Sequence, residues 1–156
     1  MVDLPRLNTA SQLTLVTIRL WVREHLRCQP HVTRWDEGLI AAGLPPQARR
    51  ALDELLTMLA LIPDMLSGIL PVCAHRVSDS ELALLRMFVE CAPDDSSASA
   101  LIAALPPTIA RLAEQRCMAY ARAMGERVSE HQLCPAQRMD EITLSSAGEP
   151  LPQRMH

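Results

Sequence analysis

Residues 39–46 read LIAAGLPP, and residues 101–107 nearly repeat them as LIAALPP. Each copy has the pattern of an amphipathic segment that stops, turns through Leu-Pro-Pro and starts another helix. A proline fits the first turn of a helix because the amide hydrogen that it lacks would have no intrahelical partner there. The two copies therefore predict two helix–turn–helix junctions and a mostly helical chain.

Two interpretations of this near-repeat are open. In the first, the chain contains two helical-hairpin units that pack on each other, because two repeats are too few for a solenoid. In the second, Leu-Pro-Pro is simply an easy connector between helices in a chain that is rich in alanine and proline. We favour the connector and leave duplication as the alternative.

Composition supports an all-α fold. The chain has 156 residues, which suits one domain, and it is 49% hydrophobic but only 3% aromatic. Its core must therefore consist of leucine, alanine, isoleucine, valine and methionine, and several of these are good helix formers. We expect a single-domain orthogonal or up-down bundle of five to six helices over residues 1–125.

Capping signals and apolar periodicity place the individual helices. Five of the predicted helices cover residues 10–27, 34–43, 46–61, 97–105 and 107–124. A further predicted helix, the fourth in the chain, starts at the S-x-x-E capping box of Ser78 and Glu81. Gly125 is predicted to end the last helix. Residues 64–77 form an extended connection that is apolar enough to pack across the bundle, and residues 126–156 form an irregular tail that packs on the domain or on a partner subunit.

Charge gives little support to nucleic-acid binding. The formal net charge is −3, and all 15 positive residues are arginines. The use of arginine alone, without lysine, suggests a GC-rich bacterial genome. The scattered positions of the arginines and the acidic net charge argue against a nucleic-acid partner. The arginines at positions 19, 23, 27 and 34 are interpreted as a solvated helix face.

The chain shows neither the pattern of a signal peptide at its start nor a long apolar segment, which predicts a cytoplasmic protein without a membrane partner. Its five cysteines are widely spaced, odd in number and without a C-x-x-C pair. Reduced thiols are therefore expected.

Two short pairs, Cys28-x-x-His31 and Cys73-x-His75, supply four thiol and imidazole groups beside predicted helix ends. Tetrahedral zinc accepts two cysteines and two histidines. No cofactor is expected, and a zinc site made by Cys28, His31, Cys73 and His75 is the alternative.

The first predicted helix is apolar over most of its circumference, which is typical of a helix that is central or lies in a dimer interface. We therefore place Leu15, Ile18 and Val22, with Trp35, in a candidate homodimer interface. No recognisable catalytic motif occurs. The sequence predicts a non-enzymatic helical protein-interaction or regulatory module, and the alternative is a small metal- or ligand-binding protein that uses the 64–77 connection.

Overall fold

The computed structural model describes residues 2–28, 33–90 and 103–147, with side chains described as far as Phe88 in the second range and Arg127 in the third. Within these ranges the chain is mostly helical and contains a sheet of only two short strands, which confirms the all-α class. The elements are β1 (Val2–Asp3), α1 (Thr9–His25), α2 (Glu37–Ala41), α3 (Pro46–Ala60), β2 (Arg76–Val77), α4 (Asp79–Leu85) and α5 (Pro107–Ala147). None of the described helices combines the length and hydropathy that a membrane span requires.

Helix α1 is the central element. Its first turn is capped by Asn8, whose side-chain oxygen accepts a hydrogen bond from the amide of Ser11 at 2.8 Å. The helix contacts α2, α4 and α5. Its apolar circumference is thus covered by the chain's own helices, which is the first of the two arrangements expected for such a helix.

Helix α3 confirms the amphipathic pattern predicted for residues 46–61. Pro46 occupies its first turn, as expected for a residue without an amide hydrogen. Five apolar residues with helical spacing are buried in α3, and Ile62 just after it is half-buried; the five are Ala48, Leu52, Leu55, Leu56 and Leu59. The buried face of α3 packs against α5.

The connection after α3 is held by backbone pairing that the sequence patterns do not predict. Strand β2 pairs antiparallel with β1, so that Val2 lies opposite Val77 and Asp3 opposite Arg76. Leu66 and Ile69 of the connection are buried, as its apolar composition indicated. Both halves of the capping box of Ser78 and Glu81 are present at the start of α4.

A π-helical turn, Arg86–Glu90, follows α4 and packs against α5. It buries Phe88, whose ring meets the Tyr120 ring edge-to-face with centroids 6.1 Å apart. The Tyr120 hydroxyl shares a 2.8 Å hydrogen bond with the Thr14 hydroxyl, and both groups are buried. This bond joins the first helix to the last.

The predicted end of the last helix is wrong. Helix α5 passes through Gly125 and continues to Ala147, so residues 126–147 are helical and not irregular. Gly125 does not adopt the left-handed backbone conformation that ends many helices. A glycine inside a helix costs only about 1 kcal/mol relative to alanine, so Gly125 alone does not stop a helix. The remaining tail residues, 148–156, and most of the predicted helix 97–105 lie outside the described residues.

Candidate functional site

A surface groove lies where α1 and α3 both end. Its volume is about 360 Å³. Nine residues from the end of α1, the end of α3 and the turn after α3 form its lining: Val22, Leu26, Arg27, Ala60, Ile62, Pro63, Asp64, Leu66 and Ser67. We call this the α1–α3 groove. Six of its nine lining residues are aliphatic, and the other three supply one positive, one negative and one hydroxyl side chain.

Two leucines at this end of the molecule are exposed to solvent. Leu61, which lies in the chain between the lining residues Ala60 and Ile62, is 78% exposed, and Leu26 is 47% exposed. Single exposed leucines are ordinary on protein surfaces, whereas leucines next to a concave aliphatic lining are typical of binding surfaces.

The walls of the groove are held by specific backbone geometry. Arg27 donates a 2.6 Å hydrogen bond from Nη2 to the backbone carbonyl of Ile69, which ties the end of α1 to the connection. Asp64 has a φ of 61°, a left-handed conformation that aspartate tolerates better than most residues. Its carbonyl accepts hydrogen bonds from the amide and the hydroxyl of Ser67.

Arg19 and Arg23 of α1 and Arg27, two residues past its end, follow one another at intervals of four residues. Residues four apart in a helix are neighbours on one face. Arg19 donates to the carbonyls of Ala74 and Arg76 at 2.7 and 2.6 Å. Together with the Arg27 bond, these contacts mean that the row faces the connection between α3 and α4. The Nε of Arg23, the middle member, is buried and has no hydrogen-bond acceptor among the described residues.

Arg19 also forms a fully buried ion pair with Glu81. Its Nε and Nη2 donate to the two oxygens of the Glu81 carboxylate at 2.8 and 2.9 Å, and both side chains have no exposed surface. The same carboxylate accepts hydrogen bonds from the amides of Leu70 and Ser78. A buried ion pair of this kind needs such additional hydrogen bonds to offset the loss of hydration.

This environment lowers the pKa of Glu81. Burial by itself raises the pKa of the carboxyl, because it disfavours the charged form. The hydrogen bonds from Arg19 and from the two backbone amides, together with the charge of Arg19, outweigh burial and bring the pKa below its ordinary value of 4.5. Glu81 is therefore ionised at neutral pH and holds the connection against α1.

A close approach of the chain to itself reinforces this arrangement. A Cβ atom at Gly68 would lie 2.5 Å from the Ser80 hydroxyl oxygen and 2.8 Å from the Ser80 Cβ. The Gly68 carbonyl accepts a 2.8 Å hydrogen bond from the Ser78 hydroxyl. The connection thus lies directly on the start of α4, and only glycine fits at position 68 without a shift.

The candidate zinc ligands are only in part within the described chain. Cys28, Cys73 and His75 are exposed, and His31 lies outside the described residues. In the described ranges, no three histidine, cysteine or acidic side chains come together as a metal would require. Cys73 and His75 do not line the groove, although Asp64, Leu66 and Ser67 of the same connection do.

The four candidate interface residues are core residues of a single chain. Leu15 and Ile18 are completely buried, Val22 is 2% exposed and Trp35 is 9% exposed. Helix α1 is covered by its own chain, so these residues are not available on the surface for a partner. Their burial removes the basis for placing a dimer interface on them, although Val22 is also one of the residues that line the α1–α3 groove.

The groove was missed at the sequence level because its residues are not close in the sequence. Leu26, Arg27 and Ile62 look like ordinary residues near helix ends, and no spacing rule joins them. The buried role of Arg19 had a signal, since a charge between the apolar residues Ile18 and Leu20 of a central helix requires a partner. Its partner, Glu81, could not be chosen from among the 18 acidic residues.

Comparisons of this chain with protein-family models, with curated proteins and with solved structures found no match.

Proposed function

We propose that this protein is a non-enzymatic interaction module whose α1–α3 groove binds an aliphatic side chain presented by a partner protein. The observation that carries the proposal is the combination of the mostly aliphatic groove with the exposed Leu26 and Leu61. Burial of aliphatic surface is the main favourable term in most protein association. A partner that covers both leucines would remove this surface from water.

The groove has a firm support, which favours binding with little rearrangement. Helices α1 and α3 both end at the groove. The hydrogen bond from Arg27 to the Ile69 carbonyl joins the end of α1 to the connection that follows α3. Val22 and Ala60 lie within the two helices, and the other seven lining residues lie in the segments directly after them. We propose that the scaffold for this role is the single-domain helical bundle that the sequence predicts. We also propose, as the sequence predicts, that the protein is cytoplasmic and of bacterial origin.

The docking of an aliphatic group is tested with a small neutral probe, N-acetyl-L-leucinamide. We expect saturable shifts of backbone amide signals in nuclear magnetic resonance spectra of the full chain, confined to residues 22–28 and 60–67. Leu26→Ser should weaken this binding several-fold, because it removes aliphatic lining. Ile40→Ser is the matched control, since Ile40 on α2 is 48% exposed and is not part of the groove.

Two results would contradict the proposal. One is the absence of saturable shifts at the groove, and the other is an equal loss of binding in Leu26→Ser and Ile40→Ser. Circular dichroism of each variant establishes that the helices are retained.

Homodimerisation stays a prediction, and native mass spectrometry of the untagged protein tests it. A dimer that Leu61→Glu converts to a monomer would make a second copy of this chain the occupant of the groove, and would contradict docking of a separate partner. A dimer unchanged by Leu61→Glu is the expected result. A monomer would contradict homodimerisation and leave docking of another protein intact.

Binding of a small ligand is the second candidate. The groove volume lies at the lower end of the range for small-molecule sites, which is about 300–1,000 Å³, and part of its lining comes from the 64–77 connection. The same native mass spectra would show a retained ligand as added mass. Bound zinc that is lost in Cys73→Ser would instead support the metal site.

A further inference from the structure

We propose that the α1–α3 groove selects a partner segment that carries a carboxylate beside its aliphatic side chain, and that Arg23 and Arg27 bind this carboxylate. The inference rests on the proposed function, because it specifies the chemistry of the group that docks. It adds a charged recognition element to an aliphatic one.

The placement of the two kinds of side chain on α1 is the first step. Val22 and Leu26 are one helical turn apart and both line the groove. Arg23 follows Val22 within α1, and Arg27 follows Leu26, two residues past the end of the helix at His25; Arg27 also lines the groove. The end of α1 and the residues just after it therefore place an aliphatic pair and a basic pair next to each other in the chain.

The unused hydrogen-bonding capacity of the basic pair is the second step. Arg27 donates from Nη2 to a neutral carbonyl, that of Ile69, so its positive charge is not neutralised by that bond. Arg23 is half-buried, and its buried Nε has no acceptor among the described residues. A buried donor without an acceptor costs free energy, which a bound carboxylate oxygen would recover.

The contrast with other arginines is the third step. In the described part of the chain, four arginines have a carboxylate within 4 Å; these are Arg19, Arg34, Arg49 and Arg116. Arg23 and Arg27 have no such ion pair there. Two guanidinium groups one turn apart provide the planar donors that bind carboxylates with two hydrogen bonds.

The other charges at the groove define the direction of the partner. Asp64 lies on the turn after α3, and the carbonyl end of α3 carries about half a unit of negative charge. These two groups disfavour an anion near the turn. The carbonyl end of α1 carries a similar partial charge beside Arg23 and Arg27, whose two full positive charges exceed it. We therefore place the partner's carboxylate at Arg23 and Arg27, and the partner's aliphatic side chain at Leu26.

The test compares two probes that differ only at one group. N-acetyl-L-leucine has a free carboxylate, and N-acetyl-L-leucinamide replaces it with a neutral amide. At low ionic strength we expect the acid to bind the full chain about three- to tenfold more tightly, since a hydrogen-bonded charge gains more than a neutral pair but is partly screened by water. In 0.5 M sodium chloride the difference should become smaller.

Three variants assign the effect to residues. Arg23→Gln makes no change to a described hydrogen bond and should abolish the preference for the acid while amide binding is retained. Arg27→Gln should also abolish the preference for the acid; because Arg27 lines the groove and its bond to Ile69 is lost, amide binding and circular dichroism are measured in parallel. Arg50→Gln, at an exposed position of α3 outside the groove, is the control and should retain the preference.

The outcomes separate this inference from the proposed function. Equal binding of acid and amide by the natural chain, or an unchanged preference in both Arg23→Gln and Arg27→Gln, would overturn the carboxylate site and leave aliphatic docking intact. Shifts by acetate that match those by N-acetyl-L-leucine would also overturn it, because the aliphatic group would then contribute nothing. Failure of both probes to bind would overturn the proposed function as well.

Discussion

Arg19 shows how strongly the surroundings decide what a single residue does. Arginine is usually a surface residue, and Arg19 lies in a row of arginines whose pattern is that of a solvated helix face. Arg19 is nevertheless only 1% exposed. Its guanidinium makes four hydrogen bonds, two to Glu81 and two to backbone carbonyls of the connection. The interpretation of this arginine row as solvated is therefore wrong for Arg19.

Removal of one member of this buried pair should be costly. We predict that Glu81→Ala lowers the free energy of unfolding by about 3–5 kcal/mol, because Arg19 would be left buried without its counter-charge. Glu54→Ala removes an ion pair with Arg116 in which both side chains are 40% exposed, and should cost at most about 1 kcal/mol. Urea unfolding of both variants measures the difference, and similar costs for the two would contradict the assignment of Glu81 to a buried network.

Tyr120 offers a second test at a single residue, because it is the one tyrosine of the chain. Burial raises the pKa of its phenol well above the ordinary value of 10, and the hydrogen bond with Thr14 only partly offsets this. We predict no phenolate absorbance at 295 nm at pH 10–11 while the protein stays folded. A titration with a midpoint near pH 10 in the folded protein, as in a denatured control, would show that Tyr120 is exposed to water.

At the scale of secondary-structure elements, two glycines with similar local sequence signals have opposite roles. Gly43 ends α2 with a φ of 80°, and the amides of Gly43 and Leu44 bond to the carbonyls of Ile40 and Leu39. Gly125 continues α5, is exposed and has nothing within 4 Å of an added Cβ. Local sequence cannot separate a glycine that ends a helix from one that a long helix passes through.

Alanine at these two positions should shift stability in opposite directions. Gly125→Ala should raise the free energy of unfolding by about 0.5–1 kcal/mol, because alanine is the better helix former and meets no steric obstacle. Gly43→Ala should lower it by about 1–2 kcal/mol, because the left-handed conformation places Cβ too close to the backbone. Chemical unfolding measures both. A destabilised Gly125→Ala variant would mean that the helix ends at Gly125, as the sequence pattern predicted.

On the scale of the whole molecule, the Glu81 network joins α1, the connection and α4, and the groove depends on how these elements are held. The Arg27 bond and the Arg19 bonds fix the connection along α1 from Ile69 to Arg76. Buried Thr14 and Tyr120 join the same helix to α5. The position of the groove is thus a consequence of long-range contacts that meet on one central helix.

The pH dependence of stability follows from the same network. The folded pKa of Glu81 lies below the unfolded value of about 4.5, so its stabilising contribution is complete above pH 4.5 and is lost as the pH falls through the folded pKa. We predict that the thermal midpoint of the natural chain decreases more steeply from pH 5 to pH 3 than that of Glu81→Gln, which has no proton to gain at this position. Parallel curves for the two proteins would contradict a lowered pKa for Glu81.

Local patterns were sufficient for much of the helical framework. Pro46 in the first turn of α3 and the capping box before α4 are confirmed. The Asn8 cap of α1 and the left-handed Gly43 after α2 are features of the same local kind. Each depends on interactions within about four residues, such as a side-chain oxygen on a nearby amide or a missing amide hydrogen. Such interactions are encoded in consecutive residues, and they are therefore visible in the chain before it folds.

The features that decide the candidate site are of another kind. Arg19 and Glu81 are 62 positions apart and Thr14 and Tyr120 are 106 apart, and no local rule selects one such pair over another. The burial of Leu15 and Ile18 and the exposure of Leu61 also depend on which helices cover which faces. The helices and their ends follow from local chemistry in the sequence, whereas the groove and the buried charges arise only when distant segments exclude water together, because hydration and packing depend on the completed tertiary structure.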